Sequence, residues 1–301
     1  MASGEVADRS QYHLVWKRTS VEGRSTLYGV AGDGPPVLFL HGWALGSHAY
    51  KRALKRLAAM GCLVLAPALP GFGGTADLPS ARLSFAGYAD WLAGFLDAVE
   101  VRGPAVVVGH SFGGGVAIQL AHDHPARVRT LVLLNSVGGS AWSARGGKLR
   151  TLAERPLWDW GMTLPADVIP FPRVARALSA VKEDALPNAV RNPLGLWRAG
   201  NLIRRADLTP ELQELRRRGL PVVVVWAQDD RVIPRASFDA LCSAIGARGE
   251  VVPGTHSWLM ADPDAFGAVM GKALGVAADV ARALEGTEID LRDNPVEVAS
   301  S

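Results

Sequence analysis

Five short apolar runs limit what this 301-residue chain can fold into: Val37–Leu40, Leu63–Leu65, Ala105–Val108, Leu131–Leu134 and Val222–Trp226. A run with no polar alternation marks a strand that has no solvated face, as in a parallel sheet covered on both sides. Between the early runs, Tyr50–Met60 and Phe85–Val99 carry apolar residues three and four apart, and Gly113–His122 continues in the same way. Strands alternating with helices imply parallel βαβ units. Two strand-like segments come first, Tyr12–Thr19 and Ser25–Ala31, joined around Glu22-Gly23, and a short one follows near Glu250–Val252. The expected fold is therefore α/β, a mostly parallel eight-stranded sheet with flanking helices.

The alternation stops after Asn135. From about Gly138 to Arg218 only short helical patches appear, cut by Pro156, Pro165, Pro170, Pro172, Pro187, Pro193 and Pro210, and four of the nine tryptophans fall here. An insertion of this kind between two buried strands reads as a cap over one end of the sheet. The expected organisation is a core of residues 1–137 and 219–301, with residues 138–218 as a helical cap. The tail after Val276 is weakly helical and turns polar from Asp290.

With 49% hydrophobic and 20% charged residues, the chain is neither disordered nor a coiled coil. Its two cysteines, Cys62 and Cys242, lie in apolar surroundings and read as free thiols. The net charge is only +3, and the longest basic run, Arg216-Arg217-Arg218, suits the last turn of a helix, so no nucleic-acid face is expected. No stretch approaches the ~18 apolar residues of a membrane span. The first ten residues lack the apolar core of a signal peptide, which makes the cytoplasm the expected location. No histidine pair at ligand spacing and no close cysteine pair suggests a metal, so neither metal nor cofactor is expected.

Gly109-His110-Ser111-Phe112-Gly113 directly follows a buried run and precedes a helical stretch. A serine on so sharp a strand-to-helix turn sits in strained backbone and projects its hydroxyl from the sheet edge. Small flanking residues are required where strand and helix nearly touch, and the helix N-terminus favours developing negative charge. Such a serine needs a base. His110 points away from Ser111 across the turn; His122 and His124 suit capping of helix carbonyls; His13 and His48 belong to the hairpin and a helix start; His41 suits a structural loop role. His256, in Pro253-Gly254-Thr255-His256, is the only histidine after His124 and follows the last strand. A carboxylate must hold the imidazole, and Asp229 and Asp230 both follow Val222–Trp226, at the strand end where open α/β sheets place their sites. The order Ser, Asp, His suits this architecture. Two backbone N–H groups would form an oxyanion hole: that of Phe112, and that of Trp43 in the turn Leu40-His41-Gly42-Trp43.

These motifs, together with Leu69-Pro70-Gly71-Phe72-Gly73, resemble those of the α/β-hydrolase fold family, in its capped form, over roughly Val37 to Leu274. In that family the acid stands four residues before a proline, here Pro234, which selects Asp230. Some members carry the acid one strand earlier, where this chain has Asn135-Ser136. Ala68 replaces the usual Asp before Leu-Pro-Gly, which implies one lost loop hydrogen bond. The resemblance implies a serine esterase that cleaves a small to medium hydrophobic ester through an acyl-enzyme with Ser111, His256 and Asp230, acting as a monomer or homodimer. Ser111 argues against epoxide hydrolases and haloalkane dehalogenases, which use an aspartate nucleophile. Three alternatives stay open: a carbon–carbon bond hydrolase, faintly suggested by Trp258 close after His256; a metal-free peroxidase-like member, although these usually have Pro where Ala44 stands; and a ligand receptor that keeps the triad. The insertion shows no long amphipathic lid of the lipase kind.

Overall fold

The structure is a computed structural model and describes residues 13–139 and 184–288, with side chains as far as residue 275. Its sheet has eight strands: β1 (Val15–Val21), β2 (Arg24–Ala31), β3 (Pro36–Leu40), β4 (Leu63–Pro67), β5 (Ala105–His110), β6 (Val128–Leu134), β7 (Val222–Ala227) and β8 (Glu250–Val252). They run in the order β1-β2-β4-β3-β5-β6-β7-β8. The β1–β2 hairpin is antiparallel and β2 joins β4 antiparallel, while every pairing from β4 through β3 to β8 is parallel. The expected fold class is what forms. Tyr12, where the first strand was expected to begin, lies outside the described residues.

The uninterrupted apolar runs have a direct cause in the two cores. Leu38, Leu40, Val107, Leu131, Leu133, Val224 and Trp226 enter the cluster on one face of the sheet. Their neighbours Val37, Phe39, Val106, Val108, Val132, Leu134 and Val225 enter the cluster on the other. Successive side chains alternate between faces, so a strand covered twice has no polar position left.

Helices α1 (Lys51–Ala58), α2 (Phe85–Ala98) and α3 (Phe112–Asp123) match the three helical stretches read from the sequence to within a few residues. After β6 come α4 (Leu186–Arg191), α5 (Pro193–Arg204) and α6 (Thr209–Arg217), then α7 (Arg235–Ile245), α8 (Trp258–Ala261) and α9 (Pro263–Glu288). Helix α6 packs against α3 and α7 and sends Leu212 and Leu215 into the first cluster. These leucines join the cluster on one face of the sheet, and the helix, which lies within the stretch 138–218 expected to form the cap, ends five residues before β7. Most of that stretch, residues 140–183 with Trp142, Trp158 and Trp160, lies outside the described residues, as does the polar tail beyond residue 288. The Arg216–Arg218 run closes α6 as expected, with Arg217 and Arg218 both paired to Glu214. Cys62 and Cys242 are free, the first buried and the second half-buried.

Strand β5 and helix α3 approach so closely that a Cβ on Gly109 would lie 2.5 Å from the Gly113 carbonyl oxygen and the Gly114 Cα, both backbone atoms that cannot swing aside. A Cβ on Gly113 would collide with the Leu40 and His41 carbonyls of β3 and its turn. Gly109→Ala should therefore cost about 3 kcal/mol of unfolding free energy, read from urea denaturation; an unchanged midpoint would show that the two elements can separate freely.

Candidate active site

The site residues read from the sequence all sit beyond the C-terminal ends of parallel strands, on one rim of the sheet. Trp43 follows β3, Ser111 follows β5, Asp230 follows β7 and His256 follows β8. Phe112 is the first residue of α3, so its N–H is among those a helix leaves without an intrahelical acceptor. Its ring anchors the helix start from behind, edge-on to Tyr88 at 5.2 Å and tilted against Phe85 and Phe72.

Ser111 has φ 53° and ψ −117°, a conformation that non-glycine residues hold only when their surroundings enforce it, at about 1–3 kcal/mol. Here the enforcement is visible. Its N–H donates to Leu134 O at 3.0 Å, and its carbonyl accepts from the N–H groups of Gly114 at 3.0 Å and Val137 at 3.2 Å. The serine is buried yet opens onto a cavity shared with His256, Trp43, Val137, Ile203, Val232 and Ile233. Nucleophile candidate, base candidate and the turn bearing the second N–H thus border one space.

His256 is 3% exposed, and its Nδ1–H donates to Asp230 Oδ2 at 2.8 Å. The neighbouring Asp229 is exposed and its side chain takes no part in this pairing. Asp230 Oδ1 accepts the N–H groups of Val232 at 2.7 Å and Ile233 at 2.9 Å. Burial alone would raise the Asp230 pKa, but the facing imidazole and the hydrogen bonds from His256, Asn135 and Ile233 outweigh it and hold the carboxyl below the usual range. The group is therefore an anion with every lone pair engaged.

Several participants go beyond those expected from the sequence. Asn135, at the end of β6, donates through Nδ2 to Asp230 Oδ2 and accepts at Oδ1 from the Trp258 indole N–H at 2.9 Å. His110 is not a bystander across the turn. Its Nε2–H donates to the His256 carbonyl at 2.9 Å, and its Nδ1 accepts from Tyr50 O–H at 2.8 Å. The Tyr50 oxygen in turn accepts the Gly42 N–H at 3.0 Å. One chain of hydrogen bonds, with a single consistent donor direction, thus ties the Trp43 turn to the His256 loop. His41 has the structural role expected of it: Nδ1–H donates to Gly42 O and Nε2 accepts from Leu69 N–H, both at 2.9 Å. That second bond also fixes the loop where Ala68 stands, and the Ala68 N–H itself donates to Leu27 O at 2.9 Å. His122 and His124 pair with Asp123 and Asp90 rather than with helix carbonyls.

The turn after β3 is held from the far side by residues past 183. Asp184 Oδ2 accepts the N–H groups of Gly46 at 3.1 Å and Ala49 at 2.8 Å, and Asn188 Nδ2 donates to Ala44 O at 3.0 Å. The Trp43 indole N–H donates to Leu196 O at 2.9 Å. Ala44 itself has φ 65°. Among the described residues, no group of three or more His, Cys, Asp or Glu side chains could hold a metal ion, and no helix is long and apolar enough to cross a membrane.

The sequence profile of the α/β hydrolase fold matches residues 35–263. The chain belongs to the α/β hydrolase fold family. It is 30% identical over 250 residues to a protein named as a non-heme haloperoxidase from Mycobacterium phage D29, covering 81% of this chain and 88% of that one. Over 112 residues it is 39% identical to 2-hydroxymuconate semialdehyde hydrolase of Pseudomonas sp. strain CF600, covering 36% of this chain and 39% of that protein. Among solved structures, a protein described as a lipase from Acinetobacter baumannii AYE superposes with a TM-score of 0.74 at 21% identity, covering 90% of this chain and 94% of that one.

Two measurements check the physical state of this rim. Burial lowers the pKa of His41 to about 4; burial and then the neighbouring His256 lower that of His110 to about 3. Both are neutral when folded and ordinary histidines, near 6.5, when unfolded. Their contribution to stability is complete above pH 6.5 and is lost as pH falls towards about 4 and about 3, with a slope approaching ~1.4 kcal/mol per pH unit for each. Urea midpoints should therefore drop steadily from pH 6.5 to 5; a flat profile over that window would contradict the buried neutral state. In addition, Ser111→Gly should raise stability by about 1 kcal/mol net by removing the backbone strain, whereas no gain would show that the serine is unstrained.

Proposed function

We propose that the protein is a serine hydrolase of carboxylic esters. Ser111 Oγ attacks the ester carbonyl while His256 Nε2 takes its proton, and the oxyanion rests on the N–H groups of Phe112 and Trp43. The protonated imidazole, steadied by Asp230, hands the proton to the departing alcohol. A water molecule, deprotonated by His256, then cleaves the acyl-enzyme and releases the acid. The observation that carries this reading is the cavity bordered at once by Ser111 and by a His256 already oriented through Asp230. The two oxyanion donors would each contribute a factor of about 10²–10³.

The described lining favours a neutral, apolar acyl or alkyl group: apart from Ser111 and His256 it consists of Trp43, Val137, Ile203, Val232 and Ile233, with no cation for a substrate carboxylate. A peroxidase-like reading takes support from the phage relative's name. Against it stands Ala44, whose positive φ no proline can adopt, so the Pro usual in such members has no place in this turn. Carbon–carbon bond hydrolysis takes support from the match to the semialdehyde hydrolase. Trp258, the residue that suggested it, is buried and bonded to Asn135 instead of bordering the cavity.

Initial rates on p-nitrophenyl acetate and butyrate test the reading. Ser111→Ala should lower kcat by about 10⁴-fold or more. Asp230→Asn should be severely impaired and Asp229→Asn close to wild type. Undiminished hydrolysis by Ser111→Ala would remove the nucleophile, and the reverse order of the two aspartates would overturn the choice of acid. Faster consumption of a vinylogous diketone than of any ester would favour the carbon–carbon reading, and tight ligand binding without turnover would indicate a receptor.

A further inference from the structure

The end of β6 holds a buried polar group that the proposed reaction does not use. Asn135 is 1% exposed and has φ 45°, a left-handed conformation that asparagine tolerates better than most residues. Its backbone N–H donates to Val225 O of β7 at 2.9 Å, while its neighbours Leu134 and Val137 bond the backbone of Ser111. Its side chain therefore stands on the rim between the serine and the acid. One end donates to Asp230 Oδ2, the same oxygen that receives the His256 Nδ1–H. The other end is fixed by the indole N–H of Trp258, at the start of α8, two residues beyond His256.

We propose that Asn135, locked by Trp258, is a positioning residue that sets the basicity and orientation of His256 through Asp230, a role that rests on the triad reading above. The orientation follows from a count of donors. Asp230 has two N–H donors on Oδ1 and two on Oδ2, so neither oxygen can rotate towards a different partner. The basicity follows from competition between donors. Charge that Oδ2 shares with the Asn135 amide is not available to an imidazolium, so the carboxylate steadies His256⁺ less than a carboxylate with three donors would. Trp258 matters because the Asn135 side chain could otherwise present its oxygen to Asp230, which repels it. Among the described residues, His110 also faces the His256 ring, at 4.8 Å between ring centroids, and burial keeps it neutral.

The test is a ¹⁵N-histidine NMR titration of His256, assigned with His256→Gln, in the full-length protein, followed by the pH dependence of kcat/KM on p-nitrophenyl butyrate. Asn135→Ala should raise the His256 midpoint by about 0.5–1 pH unit, move the acid limb of kcat/KM by the same amount and lower kcat. Trp258→Phe keeps most of the ring volume and removes only the donor; it should shift the midpoint in the same direction by less, and should add nothing in an Asn135→Ala background. A His256 midpoint unchanged in both single variants, or fully additive shifts, would overturn the proposal and leave Asn135 a packing residue. If the midpoint moves as stated but no ester turnover depends on Ser111, the linkage stands and the esterase reading falls. If turnover depends on Ser111 and the midpoint does not move, the reverse holds.

Discussion

The close approach of β5 to α3 imposes the conformation on which the rim depends. Gly109 and Gly113 leave no room for a Cβ, so the chain must turn within one residue, and Ser111 absorbs the turn at positive φ. The strain is sustained by bonds from Ser111 to the end of β6 and to Val137, and by the aromatic ring of Phe112 buried behind the helix start. Local strain held by a rigid scaffold is how a hydroxyl comes to border a cavity without freedom to leave it.

From that point the polar groups form two linked chains. Trp258, Asn135, Asp230 and His256 make one, running across the ends of β6, β7 and β8. Gly42, Tyr50, His110 and the His256 carbonyl make the other, running back to the turn that carries Trp43. Both meet at His256, one at its ring and one at its backbone. Almost every member is buried and satisfied, so a change at one site should be felt at another, as expected of hydrogen-bond networks in a low-dielectric interior.

Much of this was legible in the sequence because the determining interactions are local. Doubly buried strands must be apolar throughout, which made the runs at Val37, Ala105, Leu131 and Val222 unmistakable. The crowded serine turn must carry glycines, and the rim of a parallel sheet must carry the functional groups, which led to Ser111, His256 and a choice between two aspartates. What stayed hidden depends on distances between chain-remote residues. No local pattern shows that Asn135 reaches Asp230, 95 residues on, or that His110 turns from the serine to grip the His256 loop. Helix α6 falls within the stretch expected to be a cap because no strand-like run appears there before β7, and its leucines join the cluster on one face of the sheet. The rim rule that pointed to Asp230 also applies to Asn135: a buried polar residue just past the end of a parallel strand is a candidate partner for whatever the next strand presents.

The central claim is that Ser111 is a nucleophile activated by this arrangement. Intact-mass spectrometry after brief exposure to a fluorophosphonate, with peptide mapping of the adduct, measures it most directly. The account predicts one phosphonyl group, on Ser111, formed rapidly in the native protein and lost when His256 is replaced by Gln. An adduct on a different residue, or labelling of Ser111 that is indifferent to His256, would contradict it.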